Sequence, residues 1–256
     1  MPASPMVRSI LENPAAIQSG LEALEKLPAN LPESDSSLLL AFATGPRPAS
    51  MPETIWPAFA NDILNALRRQ ETAVNPVPAL QGVFENAGMP YTLRDYAIQH
   101  IGAWLADPRH TPTPISARDG LAILWKAADS GEPFAGTALC SLLDLLDNRP
   151  GFVDATRLDA LAAVVAADPK TNKFTRITAL QIASARRLAA VLPAARAAAS
   201  DAAEDPSIRL SAIAFIGQLG HAQDAALLDS ITRSPDADRL RDAVSAAKGK
   251  LPASAP

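Results

Sequence analysis

The chain contains 256 residues, of which 48% are hydrophobic and 20% are charged. This composition can bury a core, and because no stretch approaches 18 consecutive apolar residues we expect no membrane-spanning helix. The net charge of −4 argues against bulk electrostatic attraction to nucleic acid or anionic lipid. A single cysteine excludes an internal disulfide, and three scattered histidines do not suggest a zinc site. We therefore expect neither a cofactor nor a bound metal.

The composition predicts helices rather than strands. Alanine, the best helix former, is roughly a fifth of the chain, whereas aromatic residues, which favour strands, are only 5%. Several prolines follow a residue that can cap a helix, as expected at a first helical position; these pairs are Ser4-Pro5, Asn13-Pro14, Asn75-Pro76, Thr113-Pro114 and Asp205-Pro206. Glycines close other segments, and we expect the left-handed conformation at Gly45, Gly88, Gly131 and Gly220.

Apolar spacing and these boundary residues predict fourteen helices along the chain. Two helices span 5–12 and 14–27, a third lies around 38–42 before an irregular loop at 45–52, and a fourth runs through 59–67. In the helix over 92–106, Thr92 and Asp95 resemble a capping box. The other predicted helices span 76–87, 114–130, 133–147, 155–167, 172–187, 192–203, 206–219, 222–233 and 236–250.

A short pattern, R-x-x-A-x4-G, recurs at the start of several of these helices. It occurs at Arg94 and Arg209, and in relaxed form at Arg176 and Arg241. The last three copies lie 32 or 33 residues apart, the length of one helix–turn–helix unit. The small residues predict close approach of a neighbouring helix, and we expect the arginine to reach a turn carbonyl or an acid such as Asp205 in the preceding loop.

The segment DPSIRLSAIAFIGQLG, residues 205–220, resembles the second helix of a HEAT repeat of the phycobilisome-lyase-like, armadillo-type group. The segment LPAAR, residues 192–196, resembles the start of that family's first helix, and the likeness covers 168–251 and, more weakly, 91–106. The resemblance implies an all-α fold, a curved α-α superhelix (solenoid) of about six to seven antiparallel helix pairs. It also implies a scaffold or binding surface rather than an enzyme.

We accordingly predict a single α-solenoid domain over 1–256. Within it, residues 1–75 form degenerate N-terminal helices, residues 76–251 form HEAT-like repeats, and residues 252–256 form a frayed tail. The first residues show no basic segment followed by an apolar one, so we expect a cytoplasmic protein, with an exported protein whose signal has been removed as the alternative. The sequence does not indicate an oligomeric state.

Two groups of residues are candidates for partner binding. On the helix over 92–106, a recognition patch would consist of Arg94, Tyr96, Gln99 and His100. Alternatively, Arg94 and Asp95 cap the helix while Tyr96 and His100 lie at the margin of the core. The second group lies in the basic stretch 170–196, which holds cations without nearby acids in sequence; Lys173, Arg176, Arg186 and Arg187 are the candidates there, beside Lys170 and Arg196. Solvated helix faces are the alternative interpretation.

The remaining reactive and aromatic residues indicate a core rather than a catalytic site. Cys140 lies in an apolar stretch and is expected to be a small buried residue. Trp104 and Trp125 are expected in the core, and Trp56, before a proline at a helix entry, is expected to be the exposed tryptophan. No nucleotide-binding, nucleophile-elbow or zinc-protease motif is present in the sequence.

We therefore predict no catalytic residues and a non-enzymatic HEAT-like scaffold or adaptor. Its protein or peptide partner would bind on the concave face, built from the second helix of each pair. The alternative is a nucleic-acid-binding or DNA-glycosylase-like HEAT protein that uses the basic stretch 170–196, which the negative net charge disfavours.

Overall fold

The computed structural model describes residues 3–12, 16–71, 74–233 and 237–252. Over these ranges the chain is all-α, with no strand and fourteen α-helices, which confirms the predicted class and the predicted number of helices. The helices are α1 (Pro5–Glu12), α2 (Ile17–Glu25), α3 (Glu33–Thr44), α4 (Trp56–Arg68), α5 (Val77–Glu85), α6 (Tyr91–Ala106), α7 (Pro114–Ala128), α8 (Ala135–Asn148), α9 (Ala155–Ala167), α10 (Lys173–Ala185), α11 (Leu192–Ser200), α12 (Pro206–Leu219), α13 (Asp224–Ile231) and α14 (Ala237–Lys248).

Most of the predicted N-terminal caps are present. The side-chain oxygens of Ser4, Thr113 and Asp205 each accept a hydrogen bond from a backbone N–H two or three residues further along. Asn75 also accepts one from Val77, but α5 begins at Val77, so Pro76 and not Asn75 occupies the cap position there. These bonds satisfy donors that the first helical turn leaves open. The pair at 13–14 and the tail residues 253–256 lie outside the described residues. The predicted capping box at Thr92 is wrong, because α6 begins one residue earlier, after Pro90, and no side chain caps it.

The glycines predicted to be left-handed are corrected by the structure. Gly131 has a φ of 71° as expected, but Gly45 and Gly220 have φ values of −84° and −70° with extended ψ, and Gly88 has no positive φ either. The chain leaves α3 and α12 directly in an extended conformation, so no left-handed residue is needed there. The sequence signal at these glycines marked the helix end correctly and the backbone conformation incorrectly.

A left-handed residue does close α10, and it is an arginine. Arg187 has a φ of 56°, its N–H donates to the Ser184 carbonyl at 3.1 Å, and the N–H of Leu188 donates to the Ala183 carbonyl at 2.8 Å. This pair of bonds is the Schellman motif, in which glycine is the usual residue because a Cβ disfavours positive φ. One of the predicted partner-binding residues is therefore held in a conformation that its side chain does not favour.

The chain divides into two compact units, Met1–Lys126 and Ala127–Pro256. In the first unit, α1 packs on α2, α3 on α4 and α5 on α6; α4 also contacts α2 and α6, and α3 contacts α1 and α5. In the second unit, α9 packs on α10, α11 on α12 and α13 on α14, with α8, α10, α12 and α14 contacting in succession and α9, α11 and α13 likewise. Each unit is thus built from helix pairs that pack on the adjacent pair, as in helical-repeat folds. A single domain over 1–256 stays a prediction.

One hydrogen bond recurs in these pairs and explains the arginine pattern. The arginine Nε donates to the carbonyl ten residues earlier, which belongs to the penultimate residue of the preceding helix. The three bonds run from Arg94 to Phe84 at 2.9 Å, from Arg176 to Ala166 at 3.1 Å and from Arg209 to Ala199 at 3.2 Å. The last carbonyls of a helix have no partner within it, so the guanidinium both satisfies one of them and fixes the second helix against the first.

The small residues of the pattern allow close helix contact, as predicted, where the second unit ends. A Cβ added to Gly217 on α12 would lie 2.6 Å from the Cα of Ala247 on α14. No real Cβ tolerates that distance, so a side chain at 217 would force the two helices apart. In the copy on α12, the arginine at the start of the pattern therefore fixes the turn, and the glycine at its end allows a close contact with the neighbouring helix.

We predict that Arg209→Met lowers the free energy of unfolding by about 2 kcal/mol, because the Ala199 carbonyl loses a charged donor at a buried site. Arg209 is 1% exposed, so water cannot replace the bond without opening the structure. Urea unfolding at neutral pH measures the change. Arg187→Met is the matched control: Arg187 is exposed, and its replacement should change the free energy of unfolding by less than about 0.5 kcal/mol. Equal effects of the two substitutions would contradict the proposed role of the bond.

Candidate functional site

The four candidate residues on α6 differ in exposure and in what they contact. Arg94 forms the bond to the Phe84 carbonyl and lies 5.8 Å from the centre of the Phe84 ring, so its guanidinium serves the α5–α6 turn. Tyr96 is half-buried, Gln99 is exposed and His100 is buried. Only Gln99 thus presents a fully accessible side chain, and binding of a partner by this group stays a prediction.

His100 is held in a neutral form by its surroundings. Its Nε2 lies 2.9 Å from the Asn61 Oδ1 on α4. Burial lowers the pKa of His100 to about 4, and the positive charge of Arg68 acts in the same direction. A neutral imidazole with this partner donates its Nε2 proton to Asn61, so the hydrogen bond ties α6 to α4. The side chain also borders a small cavity within the first unit.

We predict that stability falls as the pH drops from 6.5 toward 4. The folded-state pKa of about 4 lies below the ordinary value of 6.5, so in this range the unfolded chain binds a proton that the folded chain does not. At pH 5 this should remove about 2 kcal/mol from the free energy of unfolding. Urea unfolding of the wild type and His100→Gln at pH 7 and pH 5 measures it. Between pH 7 and pH 5, the free energy of unfolding of His100→Gln should fall by about 2 kcal/mol less than that of the wild type. Identical decreases would contradict the lowered pKa of His100.

The basic stretch 170–196 is largely neutralised by acids that lie elsewhere in the sequence. Four of its six cations form ion pairs: Lys173 with Asp205 at 3.1 Å, Arg176 with Glu204, Arg186 with Asp159 at 2.8 Å and Arg196 with Asp224 at 2.7 Å. The hydrogen bond from the Arg196 side chain holds the pKa of Asp224 below its usual range. The pKa of Asp205 is lowered as well, first by the hydrogen bond from the Ser207 backbone N–H and then by the one from the Lys173 side chain. Within the described ranges, Lys170 and Arg187 have no ion pair.

A groove lies between α10 and α12, the second helices of two consecutive pairs. The two helices run parallel, because Lys173 at the start of α10 pairs with the cap residue of α12, while Ser184 near its end donates to Gln218 near the end of α12, at 2.8 Å. The groove has a volume of about 450 Å³. It is lined by Leu180, Gln181, Ser184, Ala185, Leu210, Ser211, Ala214, Phe215 and Gln218.

No ionisable side chain lines this groove. In this it differs from the starts of α10 and α12 nearby, where charged side chains form ion pairs. Leu210 is 37% exposed, and Ala185 and Ala214 are exposed beside it, so apolar surface faces solvent between the two helices. The amide groups of Gln181 and Gln218 are exposed as well and offer both donors and acceptors. The groove can therefore accept uncharged groups that combine an apolar body with hydrogen-bonding atoms, the chemistry of a peptide backbone with apolar side chains.

Sequence reasoning missed this groove and misplaced two residues. Trp56, which was predicted to be exposed, is only 1% exposed. Phe42 from α3 packs edge-on against it, with the ring centres 5.5 Å apart. Cys140 has an exposed surface on α8 and is not the buried residue that was predicted. Neighbouring protein nevertheless desolvates part of its thiol, which raises the pKa of Cys140 and disfavours the thiolate needed for nucleophilic chemistry. Trp104 is in the core as predicted, and Trp125 is half-buried.

The described residues were also compared with the requirements of a metal centre and of a membrane span. No cluster of three or more His, Cys, Asp or Glu side chains suited to a metal ion occurs over the described ranges. In the same part of the chain, no helix combines the length and the apolar character needed to cross a bilayer.

The chain matches no protein-family model, no curated protein and no solved structure. The resemblance to HEAT repeats therefore stays a prediction drawn from the residues.

Proposed function

We propose that the protein is a non-enzymatic helical-repeat adaptor that binds an uncharged peptide segment of a partner protein in the groove between α10 and α12. The observation that carries this proposal is the exposed apolar and amide surface of that groove, which contains no ionisable group. It lies between second helices, the elements on which the sequence predicts the binding face.

The shape and chemistry of the groove support an extended peptide as its occupant. A volume of about 450 Å³ holds several residues' worth of atoms but no folded domain. Leu210 and Ala214 would contact apolar side chains of the peptide. Gln181 and Gln218 would bond to its backbone amides, which in an extended segment have no internal partners. A charged side chain in the middle of the groove would lose its hydration without gaining a counter-ion there.

Recognition of a nucleic acid is less well supported by the same region. The cations of Lys173, Arg176, Arg186 and Arg196 already have carboxylate partners, so they contribute little unbalanced positive charge. Phosphate binding would require breaking these pairs or relying on Lys170 and Arg187 alone. Affinity that rests on phosphate contacts falls steeply with salt, whereas binding in a neutral groove does not.

The test is selection of random peptides displayed on phage, using the full chain as bait. We expect enriched peptides that are uncharged at their centre and rich in apolar residues, with affinity nearly independent of salt. Ala214→Glu places a charge in the groove at an exposed position and should weaken these peptides at least tenfold, about 1.4 kcal/mol. Fluorescence anisotropy of labelled peptides on the purified variants measures the change.

Val164→Glu is the matched control for the groove variant. Val164 is an apolar residue on the first helix α9 and is 67% exposed, so it receives the same charge without touching the groove. Peptide affinity for this variant should equal that of the wild type. The proposal is overturned if no peptide is enriched, if both glutamate variants bind equally well, or if bound peptides shift amide resonances away from α10 and α12.

A further inference from the structure

A second groove, which we call the charged groove, lies in the first unit between α2 and α4. The two helices run parallel: a Cβ added to Gly20 on α2 would lie 2.8 Å from the Phe59 ring on α4, and further along both helices Leu24 and Ala66 border the same hollow. The charged groove has a volume of about 510 Å³. Its apolar and ionisable lining residues are Leu21, Leu24, Glu25, Asp62, Arg68 and Arg69.

The loop that follows α2 fixes the carboxyl-terminal end of the charged groove. The N–H of Leu31 donates to the Gln70 side-chain oxygen at 2.9 Å, and the N–H of Glu71 donates to the Ala29 carbonyl at 3.0 Å. Gln70 is 3% exposed, so the first of these bonds is shielded from water. The ends of α2 and α4 are therefore held together without a ligand, and the groove between them is preformed.

The charged side chains of this groove are not neutralised within the protein. No ion pair over the described ranges involves any of the four, which are Glu25, Asp62, Arg68 and Arg69. Asp62 is half-buried, and its pKa is raised because burial desolvates the carboxylate more strongly than the positive charge of Arg69 stabilises it. The Asp62 carboxylate has thus lost hydration without gaining an ion pair, and a cationic group bound beside it would restore a favourable interaction.

The charges give the groove a positive end and a negative end. Glu25 lies at the same end as the arginines, because it borders an adjoining hollow together with Arg69. Two guanidinium groups against one carboxylate leave that end positive, whereas Asp62, two helical turns earlier on α4, makes the other end negative.

This polarity selects a ligand that carries both signs of charge. A polyanion attracted to the arginines would also meet the carboxylate of Asp62, and a polycation attracted to Asp62 would meet the guanidinium groups. A molecule with one ammonium group and one carboxylate group avoids both repulsions. Arginine can bind a carboxylate through two parallel hydrogen bonds, and the half-buried Leu21 offers an apolar contact to the body of such a molecule.

The spacing of the charges along α4 sets the size of the ligand. Asp62 and Arg69 are seven residues apart, which is about 10 Å along the helix axis. Long side chains on a helix lean toward its N-terminus, so the gap between the two charges is shorter than this. The termini of an extended dipeptide are about 7 Å apart, and those of a single amino acid about half as far. A dipeptide therefore spans the two charges better than a free amino acid does.

We propose that the charged groove binds a zwitterionic dipeptide with apolar side chains. The ammonium group of the dipeptide pairs with Asp62, its carboxylate pairs with Arg68 and Arg69, and its side chains contact Leu21. The site is independent of the groove between α10 and α12, since all of its lining residues belong to the first unit.

The experiment titrates the ¹⁵N-labelled full chain with the dipeptide leucyl-leucine near neutral pH. Backbone amide resonances of α2 and α4 should shift in a saturable way. N-acetylation removes the ammonium group of the dipeptide and C-terminal amidation removes its carboxylate, and each change should weaken binding at least tenfold. Asp62→Asn and Arg69→Gln should each weaken the binding of leucyl-leucine at least fivefold. Asp62→Asn should not weaken the N-acetylated dipeptide further, because that ligand has no ammonium group to pair with Asp62.

Glu22→Gln is the matched control. Glu22 is an exposed acid on α2 that accepts a hydrogen bond from Gln18 and does not line the charged groove. Its replacement also removes one negative charge and should leave the affinity for leucyl-leucine unchanged. The proposal is overturned if no saturable shift occurs, if either capped dipeptide binds as tightly as leucyl-leucine, if Glu22→Gln weakens binding as much as Asp62→Asn, or if free leucine binds more tightly than the dipeptide.

Discussion

The bond between an arginine Nε and a carbonyl ten residues earlier is the interaction on which this structure depends. It occurs at the α5–α6, α9–α10 and α11–α12 turns, each time on the penultimate carbonyl of the first helix. A buried guanidinium requires acceptors for its N–H groups, and the open carbonyls at the end of a helix require donors. Each need is met by the other, so the angle at which the second helix leaves the first is fixed at every one of these turns.

Ion pairs near these turns also determine which surfaces remain available for binding. At the start of α10 and α12, the ion pairs Lys173–Asp205 and Arg176–Glu204 connect one second helix to the loop before the next. The cations that look like an anion-binding surface in sequence are therefore used to join neighbouring pairs. Beyond these ends, the space between the two helices is bordered by leucine, alanine, serine and glutamine, which leaves a neutral groove rather than a basic one.

Much of the fold could be predicted because its signals are local. Proline after a capping residue marked helix starts. From their position at a helix start, Arg94, Arg176 and Arg209 were expected to reach either a turn carbonyl or an acid in the preceding loop. The misplaced residues depend on distant contacts instead. Trp56 is buried by Phe42 across a loop. The small cavity beside His100 is lined by both Ser36 and Trp104, which lie 68 positions apart in the sequence, so no helical periodicity could have placed them together. Arg187 takes a left-handed conformation that sequence statistics assign to glycine.

The most direct test of the account is the exchange of arginine Nε–H protons, measured by ¹⁵N NMR on the folded chain. We predict slow exchange at Arg94, Arg176 and Arg209, with scalar coupling across the hydrogen bond to the carbonyl carbons of Phe84, Ala166 and Ala199. The exposed Arg187 gives the reference for fast exchange with water. Exchange at Arg176 and Arg209 as fast as at Arg187, or coupling to other carbonyls, would contradict the claim that these bonds set the turns.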